Sequence, residues 1–337
     1  MKSHWKRGAR LAAAAALISG ANLGVNLSGE HSAFAQTYPS RPVKVVVPLA
    51  AGGMGDTMFR PFGAPKLSER LGVPVVVENR PGGGGIVGIE YVVRSAPDGY
   101  TLLFNSQTGL GVIPSPVKLP YDPLKDLIPI AKMNEAFSGF AVANRVPAKT
   151  LQELVALAKK NPGKLSFSSG GIGTSTHLNG ELLKVRTGID ILHIPYKGGT
   201  VNAVTDAVAG RIEIIVTAPA VIRSFLQSGE LRLLAVTGPA RDPAYPDVPT
   251  MAEAGIPNYL VGSWFGVFAP AGTPRDILQR LARELVAVAS SEDFVASSAK
   301  LGALKSIATL EEFSSQIVQD TKLWHTLVKE HNIKISE

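Results

Sequence analysis

The residues best suited to chemistry in this chain sit in two glycine-rich turns. The first reads Pro48-Leu49-Ala50-Ala51-Gly52-Gly53-Met54-Gly55-Asp56, and the second Ser168-Ser169-Gly170-Gly171-Ile172-Gly173-Thr174-Ser175-Thr176-His177. Each follows a short Val-rich or Ser-rich run and leads into a predicted helix. A glycine turn that opens a helix presents unpaired N–H groups and the positive end of the helix dipole, which suits an oxyanion. One such turn is an ordinary loop. Two of them imply a pair of lobes closing on one anionic ligand.

Side chains beside the turns allow several readings. Asp56 could cap the first helix, orient a bridging water, or accept from a ligand hydroxyl or ammonium. His177 could be a hydrogen-bonded cap, a ligand contact or a base. Lys197, in Tyr196-Lys197-Gly198-Gly199-Thr200, could be a surface charge or a charge partner. Gly83-Gly84-Gly85-Ile86-Val87-Gly88 matches a dinucleotide-binding pattern. Against it, Asn79-Arg80-Pro81 lengthens the turn, and Phe104 and Asn105 stand where a ribose-binding acid belongs. A tight turn with close helix–strand packing accounts for these glycines better, and no cofactor is expected. The sequence holds no metal spacing, nucleophile elbow or phosphate loop, so neither a catalytic residue nor a metal ligand is nominated.

Composition narrows the classes further. A chain of 337 residues fits two domains, and 45% hydrophobic with 18% charged residues is a folded globular balance. Cysteine is absent, which excludes disulfides, thiolate catalysis and cysteine-ligated metals. Residues 1–35 read as a cleavable secretion signal. Lys2, Lys6, Arg7 and Arg10 precede the apolar run from Leu11 to Ile18, and Ala33-Phe34-Ala35 offers a cleavage site before Gln36. The run falls short of the about 20 apolar residues that span a membrane. Loss of the leader's four basic residues and Glu30 lowers the net charge from +7 to +4. No basic run remains, and nucleic acid is not an expected partner.

The elements that must position the turns follow from periodicity. Val43 to Pro48 is a β-branched run, as in a strand buried on both faces. Helices near 56–71 and 86–95 alternate with strands at 73–78 and 100–104, which makes an open α/β lobe. A proline-rich link at 114–129 leads to a strand at 139–143. Thr150-Leu151-Gln152-Glu153 is a capping box for a helix running to Lys160. Strands at 165–168, 191–195, 212–216 and 231–236, with helices at 177–187, 203–209 and near 221–227, form a second lobe of the same class. After a strand at 263–270, two amphipathic helices return to the first lobe, opened by Thr273-Pro274 and Thr309-Leu310-Glu311-Glu312. The expected division is a signal at 1–35, lobe 1 at 36–138 plus 259–337, and lobe 2 at 139–258.

A series of stretches in this order carries a resemblance to a known family. Among them are Ala51-Gly52-Gly53, Glu78-Asn79-Arg80-Pro81-Gly82, Ala96-Pro97-Asp98-Gly99-Tyr100, Leu119-Pro120-Tyr121-Asp122-Pro123, Pro195-Tyr196-Lys197-Gly198, Asp247-Val248-Pro249-Thr250 and Ser263-Trp264-Phe265-Gly266. From Tyr38 to the last helix the chain resembles the periplasmic substrate-binding receptors of tripartite tricarboxylate transporters. The resemblance implies a two-lobed, type II-like α/β binding protein, each lobe a mostly parallel sheet flanked by helices. It implies capture of a small organic carboxylate between the lobes and delivery to membrane permease subunits, without enzymatic activity. A monomer in the periplasm is expected. A ligand-sensing subunit for a membrane signalling kinase and a secreted carboxylate-acting α/β enzyme stand as alternatives.

On the family pattern, ligand contacts fall on Ala50, Gly52, Gly53 and Asp56 in the first turn. Loop ends facing the cleft add Asn105, Ser106 and Gln107, then Gly173, Thr174, Ser175 and His177, with Tyr196 and Gly198. Thr217 stands where many relatives carry an acid or amide, which counts against an ammonium-bearing ligand.

Overall fold

The computed structural model describes residues 38–112, 118–196, 200–259, 261–331 and 333. The expected leader, Lys197 and Gly198 lie outside the described residues.

Among these residues the strands are β1 (Val43–Val47), β2 (Val75–Asn79), β3 (Thr101–Ser106), β4 (Leu127–Phe137), β5 (Gly139–Ala143), β6 (Ser166–Ser169), β7 (Leu192–Pro195), β8 (Ile214–Thr217), β9 (Leu231–Val236), β10 (Gly262–Pro270) and β11 (Ala303–Thr309). One sheet has the order β11-β4-β10-β3-β1-β2, the other β7-β6-β8-β5-β9. The α/β class is as expected, but both sheets are mixed rather than mostly parallel in their pairings. In the first, β1 is parallel to β2 and β3, while β10 is antiparallel to β3 and β4, and β11 to β4. In the second, β6 is parallel to β7 and β8, while β5 is antiparallel to β8 and β9. The reversal has a simple cause. The chain enters β5 and re-enters β10 at the edge where their neighbours end, so both strands must run backward.

Alternation along β1 sets the layers. Val45 and Val47 point to one face and Val46 to the other, and all are buried. Leu281, Leu285 and Val288 of the helix Arg275–Ala289 share a core with Val45. Phe313, Ile317 and Trp324 of the helix Leu310–Glu330 share one with Val46. The two C-terminal helices therefore cover opposite faces of the six-stranded sheet.

Several local expectations change. β4 occupies part of the proline-rich link. Its Pro129 pairs with β10 alone, beside a register shift, which is where a sheet tolerates a missing N–H. β11 and the helix Glu292–Lys300 have no counterpart in the periodicity reading. Pro61 interrupts the first helix, and a π-helical turn, Phe59–Gly63, absorbs it between Met54–Met58 and Ala64–Leu71. Thr150 caps its helix, accepting from the Glu153 N–H at 3.1 Å. Thr309 makes no side-chain cap, and Pro274 rather than Thr273 is the N-cap residue of its helix.

The chain passes between the sheets at Ser138, and again between β9 and β10. The Ser138 N–H donates to Thr237 Oγ1 at 3.0 Å, and the Thr237 N–H returns a bond to the Ser138 carbonyl at 2.8 Å. The Thr237 hydroxyl donates to the Val261 carbonyl at 2.8 Å. These bonds join the two passages into one band.

Candidate functional site

Strand direction decides what surrounds this band. Gly262 pairs with Phe137 and Phe265 with Ser106, so β3 and β4 end where β10 begins. Gly139 pairs with both Thr217 and Val236, so β8 and β9 end where β5 begins. The turns after β1, β2 and β3, and those after β6, β7 and β8, all leave carboxyl ends of strands at the edges where the chain crosses. Open α/β sheets bind ligands in such a crevice.

The first turn is braced by charge. Gly52, with φ +82°, donates its N–H to Asp56 Oδ2 at 2.9 Å. Asp56 Oδ1 accepts from Arg60 Nε at 2.9 Å. Arg60 also donates to the Val77 carbonyl at 3.0 Å and to Asn79 Oδ1, and Asn79 Nδ2 donates to the Leu49 carbonyl at 3.0 Å. Burial would raise the Asp56 carboxyl, but Arg60, the Gly52 N–H and Asn79 outweigh it and hold the group below its ordinary value. Asp56 thus satisfies donors of its own turn. The Gly53 N–H turns back to the Ala50 carbonyl at 3.2 Å. Among the described residues, the N–H groups of Ala50 and Ala51 take no acceptor, and both residues are exposed. The open donors lie one to three positions earlier than the glycines.

At the end of β3 the nominated side chains are mostly engaged. Ser106 Oγ accepts from the Gly109 N–H at 3.3 Å. Gln107 is buried, and its Nε2 donates to Asp320 Oδ2 at 2.8 Å, an oxygen that Trp264 Nε1 also reaches at 2.8 Å. Its Nε2 is therefore committed to the C-terminal helix, while its Oε1 is buried without a partner. Asn105 is 3% exposed; its Oδ1 accepts from the Ser106 N–H, while its Nδ2 has no partner. A buried, unsatisfied amide donor is costly, and here it sits at the crevice edge.

The second turn is braced by neutral groups. Thr174 caps the helix Ser175–Thr187, accepting from the His177 N–H at 3.3 Å, and its hydroxyl donates to the Gly171 carbonyl at 2.6 Å. The Gly170 N–H goes to Thr176 Oγ1, the Gly171 N–H to Ser169 Oγ, and the Gly173 N–H to His177 Nδ1 at 3.2 Å. The N–H groups of Ile172, Ser175 and Thr176 take no acceptor among the described residues. After β7, the Tyr196 hydroxyl donates to Asp206 Oδ2 at 2.7 Å, and burial together with Asp206 pushes it up to about 12. Thr217 is buried at the end of β8.

The nominated positions among the described residues lie in turns at the carboxyl ends of strands, but the structure corrects the picture of bare glycine amides. Four expected donors, on Gly52, Gly53, Gly173 and Thr174, are bonded within their own turns. Residues that the sequence reading missed do the bracing: Arg60, Asn79, Ser169 and Asp320. Arg60 lies four positions after Asp56, a spacing that pairs charges on a helix and was the available signal. Among the described residues, no group of three or more His, Asp or Glu is placed to hold a metal ion.

Two mixed-sheet lobes with a crevice at their strand ends define the architecture of a periplasmic binding protein. The model of the tripartite tricarboxylate transporter family receptor matches residues 60–333, and the chain belongs to that family of periplasmic solute receptors. Protein BugT of Bordetella pertussis is 36% identical over 306 residues, covering 89% of this chain and 92% of its own. An R. palustris protein solved with adipate is 30% identical, covers 88% of this chain and 99% of its own, and superposes with a TM-score of 0.72. MatC from Rhodopseudomonas palustris, solved with bound malate, is 29% identical over 86% of this chain and all of its own, at a TM-score of 0.67. Among the described residues no helix is long and apolar enough to cross a membrane.

Proposed function

We propose that this receptor captures a small organic dicarboxylate in the crevice and hands it to the membrane permease subunits of a tripartite transporter. The observation that supports the reading is a set of donors without acceptors among the described residues at strand ends of both sheets: the N–H groups of Ala50 and Ala51 after β1 and of Ser175 and Thr176 after β6, with the Asn105 amide at the end of β3. Two carboxylates on a short linker answer donors on two lobes, and relatives solved with malate and adipate support that class. On this reading Ala50, Gly52, Gly53, Ser175, Thr176 and Thr217 line the site. Asp56, Ser106, Gln107, Thr174 and Tyr196 hold its walls.

The remaining parts of the reading follow from the same frame. Lobe 1 comprises 36–138 plus 259–337 and lobe 2 comprises 139–258, with Ser138 and Thr237 in the hinge. The chain is exported on a signal cut after Ala35 and works as a monomer. Ligand binding draws the lobes together and leaves the acid chemically unchanged.

A thermal-shift screen of mono-, di- and tricarboxylates tests the proposal. A true ligand at 100 times its dissociation constant adds about 2.7 kcal/mol of stability. Malate or adipate should raise the melting temperature and be recovered intact. A screen in which no acid does so rejects the receptor reading, and a new product in the recovered sample rejects the absence of catalysis.

A further inference from the structure

The second turn carries a pair of histidines that ligand binding alone does not explain. The His193 ring lies between Phe167 and His177, with centroid separations of 4.9 and 4.1 Å and interplanar angles of 29° and 28°. His193 Nε2 is 2.6 Å from Ser169 Oγ, the atom that receives the Gly171 N–H at 3.1 Å. His177 Nδ1 receives the Gly173 N–H at 3.2 Å. Gly171 and Gly173 are both left-handed, at φ +127° and +77°. The two imidazoles therefore hold the two residues that give the turn its shape.

We propose that His177 and His193 are a neutral positioning pair for the second anion-binding turn, not contacts of the ligand. This rests on the receptor reading for its purpose, but its geometry stands apart from it. An N–H aimed at His177 Nδ1 requires that nitrogen to be bare, so the ring proton sits on Nε2. A proton added to His177 Nδ1 would turn an acceptor into a donor against the Gly173 N–H, and protonation of both rings would set two cations face to face. Burial pushes His177 down to about 3, helped by His193 and Lys184, and pushes His193 down to about 4, helped by Lys184. Lys184 is itself paired with Glu181 at 3.0 Å. A turn framed this way offers backbone dipoles to an anion with no histidine charge in the frame, and keeps its shape across the pH range in which an ordinary histidine titrates.

Nitrogen-15 NMR of the intact protein tests the tautomer directly. His177 Nδ1 should remain unprotonated from pH 5 to pH 8; a protonated Nδ1 at pH 7 overturns the proposal. Replacement supplies the second arm, with malate and adipate as probes. His177→Phe keeps a stacked ring without the acceptor, and should speed exchange of the Gly173 amide and weaken the probes about tenfold. His177→Asn places an oxygen near the Nδ1 position and should recover most of that loss, as His193→Gln should relative to His193→Phe. Native exchange and affinity in His177→Phe would overturn it. If neither acid binds the unaltered protein, the receptor reading fails, while tautomer and amide exchange still decide the positioning role.

Discussion

The two glycine turns solve one problem with opposite materials. The turn after β1 is braced by a carboxylate and a guanidinium, Asp56 and Arg60, paired at 2.7 Å. The turn after β6 is braced by hydroxyls and uncharged imidazoles. Both consume the amides of their left-handed glycines and leave flanking donors open. Glycine thus serves here to bend the chain, while the N–H groups of its non-glycine neighbours stay open. A charged brace tolerates this position because Arg60 cancels Asp56 and is itself anchored on β2. A neutral brace depends instead on packing, since no ion pair holds it among the described residues.

If packing is what holds the second turn, overfilling it should do the most damage. Gly180 lies within the helix Ser175–Thr187, and a Cβ there would stand 1.9 Å from Phe167 Cε2. Phe167 is the outer ring of the stack on His193. Gly180→Ala should cost about 3 kcal/mol despite the better helix propensity of alanine, because ring and helix must part. Urea unfolding would measure it, and hydrogen exchange should show the loss at Gly173 and not at Gly52. Equal loosening of both turns would mean that the braces are not independent.

The charged brace offers the next largest effect. Asp56→Ala strips an acceptor from the Gly52 N–H and leaves Arg60 without its carboxylate, at a cost of about 2 kcal/mol. Asp56→Asn can still accept one of these bonds and should fall between. Melting temperatures would rank the three proteins. Asp56→Asn matching the unaltered protein would remove charge from the account of the first turn.

Much of this arrangement is legible in the sequence, and the remainder is not for identifiable reasons. The VKVVV run, the Thr150 box and the strand 231–236 follow from local pattern, because burial on both faces and capping are local facts. β4 escapes because Lys132, Asn134 and Glu135 interrupt its apolar pattern, yet all three are buried. Lys132 and Glu135 pair at 3.0 Å, and Asn134 donates to Ser298. The two turns at strand ends are readable from their glycines, but not the choice of open donors, which depends on where Asp56 and His177 point. Contacts such as Gln107 with Asp320 join residues far apart in the chain, and no spacing rule reaches that far.

The smallest expected effect is the one that most sharpens the contrast between charged and neutral support. Asp320, held by Gln107 and Trp264, is pushed up to about 6 by burial, with Glu135 adding to the shift and the two N–H donors and Lys132 opposing it. Its folded form keeps the proton more tightly than the unfolded chain. That contribution is complete below the ordinary carboxyl range near pH 4 and is lost as pH rises through about 6. The histidine pair acts with the opposite sign. Its folded forms resist protonation, so its contribution is complete above about pH 6.5 and is lost as pH falls toward 4. Between pH 4 and 6 the two lobes therefore pull the stability curve in opposite directions. Asp320→Asn keeps an acceptor for Gln107 and Trp264 but removes the titration. Its unfolding free energy should rise more steeply with pH over that window than that of the unaltered protein, and His193→Phe should flatten the rise. Parallel curves for Asp320→Asn and the unaltered protein would show that burial of Asp320 does not couple to folding, and would leave the imidazole stack as the main acid-sensitive support.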